Sequence, residues 1–260
     1  GTEVYVSNGT NTGTLRLRDI YVGTLSSIPA QYLNIGSQTF FSADDGLNGR
    51  ELWRTDGTSG GTVMVKDIYA GATASTPTAP VNYKGILYFR ATEAATGSEL
   101  WRSDGTSAGT WRVKDIRPGA SSSSPFNFAV MNGLLYFSAF TTEEGYELWR
   151  TDGTDDGTVQ VASMLPGSTS SNPSNLVAIG TTLYFTATSS LGTELWKSDG
   201  TAVGTQLVKD IQAGEASSNP GLLRASGGVL FFAADDGING RELWRSDGTA
   251  AGTEMVADIA

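Results

Sequence analysis

Glu51-Leu52-Trp53-Arg54-Thr55-Asp56-Gly57-Thr58 returns as Glu99-Leu100-Trp101-Arg102-Ser103-Asp104-Gly105-Thr106. The same phrase starts again at Glu147, Glu194 and Glu242, and a worn copy, Glu3-Val4-Tyr5-Val6-Ser7-Asn8-Gly9-Thr10, opens the chain. Successive starts lie 48, 48, 48, 47 and 48 residues apart. Two further markers keep the beat: Pro29, Pro77, Pro125, Pro173 and Pro220, and Gly23, Gly71, Gly119, Gly167 and Gly214. Three unrelated features on one period identify a repeat architecture.

Each unit predicts four short strands and no helix. In the copy that starts at Pro173, strands are expected over Asn175–Ile179, Thr182–Ala187, Glu194–Lys197 and Gln206–Ile211. β-Branched and aromatic residues crowd the second of these. Asp199-Gly200 marks the turn between the third and fourth, because Gly takes positive φ freely and Asp bonds its own following amides. A Gly/Ser/Pro segment of about a dozen residues then crosses to the next unit. No stretch has the i, i+3, i+4 apolar spacing of a helix.

Four antiparallel strands per unit, repeated, read as β-propeller blades. A single meander has two apolar faces and must bury both against neighbours. The aromatic pairs Phe40-Phe41, Tyr88-Phe89, Tyr136-Phe137, Tyr184-Phe185 and Phe231-Phe232 suit this, since adjacent strand residues face opposite sides. A β-solenoid is the alternative, though its coils are shorter and lack such hairpin turns. The expected organisation is one propeller domain over 1–260, with a half unit at 1–20 and repeats at 21–68, 69–116, 117–164, 165–211 and 212–259. Six blade positions, the first incomplete, are marginally preferred to five.

The phrase Glu-Leu-Trp-x-x-Asp-Gly-Thr, followed by Gly-Thr and a Val-Lys-Asp-Ile strand, resembles the bacterial ELWxxDGT-repeat proteins. That resemblance covers nearly the whole chain and implies a secreted or surface-attached propeller without naming a reaction. The chain departs from the pattern at Val4-Tyr5 and Asn8, and at Ala162-Ser163-Met164. Ser103-Asp104-Gly105-Thr106 is also similar, with different spacing, to the Asp-box turn of sialidase-like propellers.

Composition narrows the chemistry. The 260 residues contain no Cys and no His, which removes thiol nucleophiles, disulfides, zinc-finger sites and the Ser-His-Asp triad. Only oxygen ligands remain, so any bound ion is of the hard class, Ca²⁺ before Mg²⁺. A net charge of −10 without a basic cluster argues against nucleic acid and anionic membranes. No apolar run is long enough to span a bilayer, and from Gly1 onward no basic region is followed by an apolar run, so no signal peptide is expected within this chain.

Residues repeated in every unit are expected to be structural. Asp56, Asp104, Asp152, Asp199 and Asp247 should hold their turns. Trp53, Trp101, Trp149, Trp196 and Trp244 are expected between blades with each indole N–H on a carbonyl, rather than as sugar platforms. Arg54, Arg102, Arg150, Lys197 and Arg245 are expected in exposed cross-strand pairs with Asp67, Asp115, Asp210 or Asp258, or with their Lys neighbours. Among the variable positions, Asp44, Asp45 and Asn48, and their twins Asp235, Asp236 and Asn239, are the candidate Ca²⁺ loops. They lack the bidentate Glu of an EF-hand, so plain Asn-Gly turns compete with that reading.

No pair of carboxylates stands out from the repeat background, so the sequence predicts a non-enzymatic extracellular binding or adhesion module. Its ligand would be a glycan or a neighbouring protein, bound through weak sites in series. The alternatives are a structural subunit of a surface layer or filament, with self-association through the half unit, and a carboxylate-dependent glycoside hydrolase or lyase.

Overall fold

The computed structural model describes residues 1–259. Every element among them is a strand, and every pairing is antiparallel. The chain divides into two compact units, residues 1–124 and a second from Pro125 onward.

The first unit opens with a two-stranded sheet, β1 (Val4–Ser7) and β2 (Thr14–Arg18). A four-stranded meander follows: β3 (Ala30–Ile35), β4 (Gln38–Asp44), β5 (Arg50–Thr55) and β6 (Val63–Lys66). The next comprises β7 (Thr78–Tyr83), β8 (Ile86–Glu93), β9 (Gly97–Ser103) and β10 (Thr110–Lys114).

The second unit holds three such meanders. They are β11 (Phe126–Met131), β12 (Leu134–Thr141), β13 (Gly145–Thr151) and β14 (Val159–Ala162), then β15 (Ser174–Ile179), β16 (Thr182–Ser189), β17 (Gly192–Ser198) and β18 (Gln206–Lys209). The last is β19 (Gly221–Ser226), β20 (Val229–Asp235), β21 (Arg241–Ser246) and β22 (Glu254–Ala257). The expected four strands are present in each complete unit. The fourth is shorter than predicted, ending at Lys209 and not Ile211, because the Ile211 N–H leaves the ladder for the Glu194 carboxylate at 3.1 Å.

Sheets pack by one rule. Phe40, Leu52, Val65 and Ile68 of one sheet cover Leu87, Phe89, Ala91 and Trp101 of the next. Val4, Leu17 and Ile20 of the two-stranded sheet likewise cover Phe41, Ala43 and Trp53. In the second unit Tyr184, Leu195, Val208 and Ile211 meet Phe232, Ala234 and Trp244. The two aromatics of each pair therefore serve opposite faces, as the alternation of a strand requires.

No residue pattern signals the backbone conformation of the first strands. Gln31, Ala79, Asn127, Asn175 and Leu222 all have φ between +53° and +59°, and the ladder slips a register around each. The residue before each periodic proline is also left-handed, including β-branched Ile28 at +46° and Thr76 at +50°. Non-glycine residues enter this region only where surrounding structure enforces it.

Candidate functional site

The acid that heads the repeated phrase is buried in every copy. Glu51, Glu99, Glu147 and Glu194 have no exposed surface, nor do Ser75, Ser123, Ser171 and Ser218. Glu51 Oε1 accepts the Ser75 N–H at 2.9 Å, and Oε2 accepts the Ser75 hydroxyl at 2.6 Å and the Ile68 N–H at 2.9 Å. Glu194 repeats the set with Ser218 and Ile211. Ser75 also offers its carbonyl to the N–H of Thr92 on β8, so one serine joins two successive sheets. Sequence reasoning passed over this pair, although a Ser follows each of the first five motif glutamates by 24 residues on the same period.

Burial pushes these carboxyls up, against the lowering effect of the bonds they accept. Glu99 and Glu147 rise to about 7, and Glu51 and Glu194 shift in the same direction. A carboxyl of that kind can exchange a proton near neutrality and is the usual mark of a functional acid. Here every copy is sealed among core side chains, so no substrate can reach it. Its work is structural.

The turn aspartates are where the sequence placed them. Asp104 Oδ1 accepts the Thr106 N–H and hydroxyl, each at 2.8 Å, and Thr106 in turn holds Gly109 and Thr110. Asp56, Asp199 and Asp247 repeat this, and the bonds from Thr58, Thr201 and Thr249 hold their carboxyls below the usual range.

Two expectations about the larger side chains need correction. Trp53, Trp101 and Trp244 are buried between sheets, but none of the five motif indole N–H groups has an acceptor among the described residues. Cations cover three of the rings instead: Arg18, Lys66 and Lys209 stand 5.8, 5.9 and 5.6 Å from the centroids of Trp53, Trp101 and Trp244. The same cations donate to the Thr62, Thr110 and Thr253 carbonyls of the following sheet, each at 2.7 Å. The second correction concerns the motif cations. Arg150 and Lys197 reach forward to the carbonyls of Gly200 and Gly248 at 3.0 and 2.8 Å, and Arg245 pairs with Glu254. Asp67 and Asp210 turn away from them to the Gly71 and Gly214 N–H groups.

The candidate Ca²⁺ residues do come together. Asp44 accepts the Gly46 N–H at 2.7 Å, Asp45 Oδ1 accepts from Leu47 and Asn48, and Asp45 Oδ2 accepts the Asn48 amide at 2.7 Å. Asp235, Asp236 and Asn239 form the same loop. Both Asp45 oxygens are thus engaged within the turn. Burial raises the Asp45 carboxyl, but the Asn48 and Leu47 bonds outweigh it and leave the group lowered. An ion here would have to displace the Asn48 amide.

One open groove of about 360 Å³ lies beside Ser37, Gln38, Phe40 and Asp104. It brings one carboxylate and one amide together, which is short of the two carboxyls of a glycosidase.

No family model matches the chain, and no curated protein is similar to it in sequence. Solved structures are similar in fold. A Mycobacterium tuberculosis puromycin-hydrolyzing peptidase is 13% identical with a TM-score of 0.55, over 89% of this chain and 37% of that one. Prolyl oligopeptidase B from Galerina marginata is 12% identical with a TM-score of 0.52, over 85% and 32%. The computationally designed Ika8 protein is 14% identical with a TM-score of 0.51, over 95% and 66%. The chain thus spans less than two thirds of each of these three chains. At such identities the likeness shows the fold, a β-propeller arrangement, and nothing finer. It does remove the ground on which a non-enzymatic adhesion module was expected. That expectation took near-uniform repetition as a sign against enzymes, yet similar sheets occur within chains named as a peptidase and an oligopeptidase.

Proposed function

We propose that the chain is a propeller scaffold within a larger hydrolytic polypeptide. The observation that carries this reading is the fate of the motif's acids. The described glutamates at the head of the motif are buried in bonds to the crossover segments, and the turn aspartates hold their own loops. The repeat is thereby committed to holding sheets together, and chemistry falls to other residues. The peptidases of similar fold, in which the matched part is about a third of the chain, support the analogy.

The test is hydrolysis of a panel of peptide amides and esters by the purified chain and by the longest polypeptide that contains it. Turnover confined to the longer protein, and reduced when these residues are excised, is expected. Turnover by the chain alone, or by neither, contradicts the reading.

The sheets are read as six blade positions, the two-stranded sheet being the outer half of the first, which a class-averaged electron micrograph would count. The resemblance to ELWxxDGT-repeat proteins supports a secreted or surface location, testable by protease shaving of the source cells.

A further inference from the structure

Within the first unit, the junction between the β3–β6 and β7–β10 sheets holds a small apolar pocket. Gln31, Phe40, Leu52, Pro80, Leu87 and Phe89 line it, and its volume of about 10 Å³ has room for one water-sized group. Phe40, Leu52, Leu87 and Phe89 are buried and form its floor. The repeat shows why the space is there. Pro80, Leu176 and Leu223 each stand three residues after a periodic proline. Leu223 is buried in the core between the last two sheets, and Leu176 packs against the core between the β11–β14 and β15–β18 sheets. Proline has one side-chain carbon fewer than leucine, and its ring is tied back to its own backbone nitrogen. Pro80 therefore stops short of the place a leucine tip reaches, and the space left is that of a methyl group. Gln31 is exposed at the edge of the pocket. Its Oε1 accepts the Ala79 N–H at 3.3 Å, which leaves the amide N–H₂ to donate elsewhere.

We infer that this pocket is a subsite for an alanyl residue of a peptide, with the alanyl methyl in the space that Pro80 leaves and the alanyl carbonyl accepting from the Gln31 amide. The choice of a peptide rests on the hydrolytic reading above, whereas the methyl-sized space and the adjoining donor rest on geometry alone. An apolar pocket of this kind stays dry, so an entering methyl displaces no bound water and gains close contact on every side. Size sets the selectivity. A glycyl residue leaves the space empty, and a leucyl side chain is too large for it without moving the Phe40 and Phe89 rings. One methyl group in a fitted apolar pocket discriminates by about tenfold or more.

The test is titration of the intact chain with formyl-alanine amide, formyl-glycine amide and formyl-leucine amide, followed through the methyl resonances of Leu52 and Leu87. The alanine compound should move both resonances, and the glycine and leucine compounds should bind about tenfold more weakly or worse. Pro80→Leu should abolish the response by filling the pocket. That variant should fold, because Leu176 and Leu223 follow left-handed residues at φ +55° and +57°, as Pro80 follows Ala79 at +53°. A melting curve checks this, and the comparison of the three compounds on the parent protein stands without it. Resonances that stay fixed up to the solubility limit of the alanine compound overturn the inference and leave a packing void only. Equal binding of the alanine and glycine compounds, or an undiminished response in folded Pro80→Leu, overturns it too. Binding is read here apart from turnover. Failure here with peptide hydrolysis intact in the longer polypeptide strikes the subsite alone, and alanyl binding without any hydrolysis strikes the hydrolytic reading alone.

Discussion

Ser75 donates its N–H and its hydroxyl to the two oxygens of Glu51, at 2.9 and 2.6 Å, while its carbonyl accepts the N–H of Thr92. The serine belongs to the crossover, the glutamate to β5 and the threonine to the next sheet. Three chain segments thus meet at one buried residue. Leaving such groups without partners costs about 1–3 kcal/mol each, so the motif glutamate fixes where each crossover lands.

Replacement of this acid should therefore be severe in any complete unit. Glu99→Gln places an amide N–H₂ where an oxygen now accepts from Ile116 or Ser123. A loss of about 1–3 kcal/mol is expected from chemical unfolding. Ser123→Ala should lose a similar amount, and the double variant less than the sum, because both sever one interaction.

Stability should depend on pH in a defined way. The Glu99 and Glu147 carboxyls stand near 7 in the fold against an ordinary value of about 4.3 when unfolded. Between those values the native state binds more protons than the unfolded one, so stability is lost as pH rises through that window. The turn aspartates act oppositely. Their lowered carboxyls favour the fold above about 3.9 and lose that contribution as pH falls further. The melting temperature should rise from pH 8 toward pH 5 and fall again below about pH 4. A flat profile between pH 8 and pH 5 would show that the glutamates titrate normally.

Equivalent leucines should differ by their neighbours. Leu148 has no exposed surface and Leu243 is 40% exposed at the same motif position. Leu148→Ala should cost about 2–5 kcal/mol, and Leu243→Ala under about 1 kcal/mol.

The Asn8-Gly9 and Asp199-Gly200 turns separate two costs. Gly9 and Gly200 have φ of +87° and +95°, but a Cβ at Gly9 meets nothing, whereas one at Gly200 falls 2.2 Å from the Tyr136 hydroxyl oxygen. Gly9→Ala should cost about 1–2 kcal/mol for the left-handed backbone alone. Gly200→Ala should cost more, and Tyr136→Phe should restore part of the difference.

Much of this fold is legible in the sequence because a period repeated so often averages out local ambiguity. Aromatic pairs such as Tyr184-Phe185 reveal two buried faces, and Asp199-Gly200 reveals a turn. What could not be read depends on segments far apart in the chain. The Glu51–Ser75 bond spans 24 residues, and its partners look like ordinary surface residues until the crossover folds over them. The left-handed Ile28 and Thr76 contradict their own local preference, so no propensity argument reaches them. The forward reach of Arg150 and Lys197 was misassigned because the following sheet, not the adjacent strand, supplies the acceptor.

The role assigned to the motif glutamate is tested most directly by a carbon-detected titration of the glutamate carboxyls in the folded chain. Glu99 and Glu147 should titrate near pH 7, well apart from the exposed acids, and their resonances should be lost in Glu99→Gln and Glu147→Gln respectively. Titration of both at the ordinary value of about 4.3 would contradict a sealed interior site and return the motif acid to solvent.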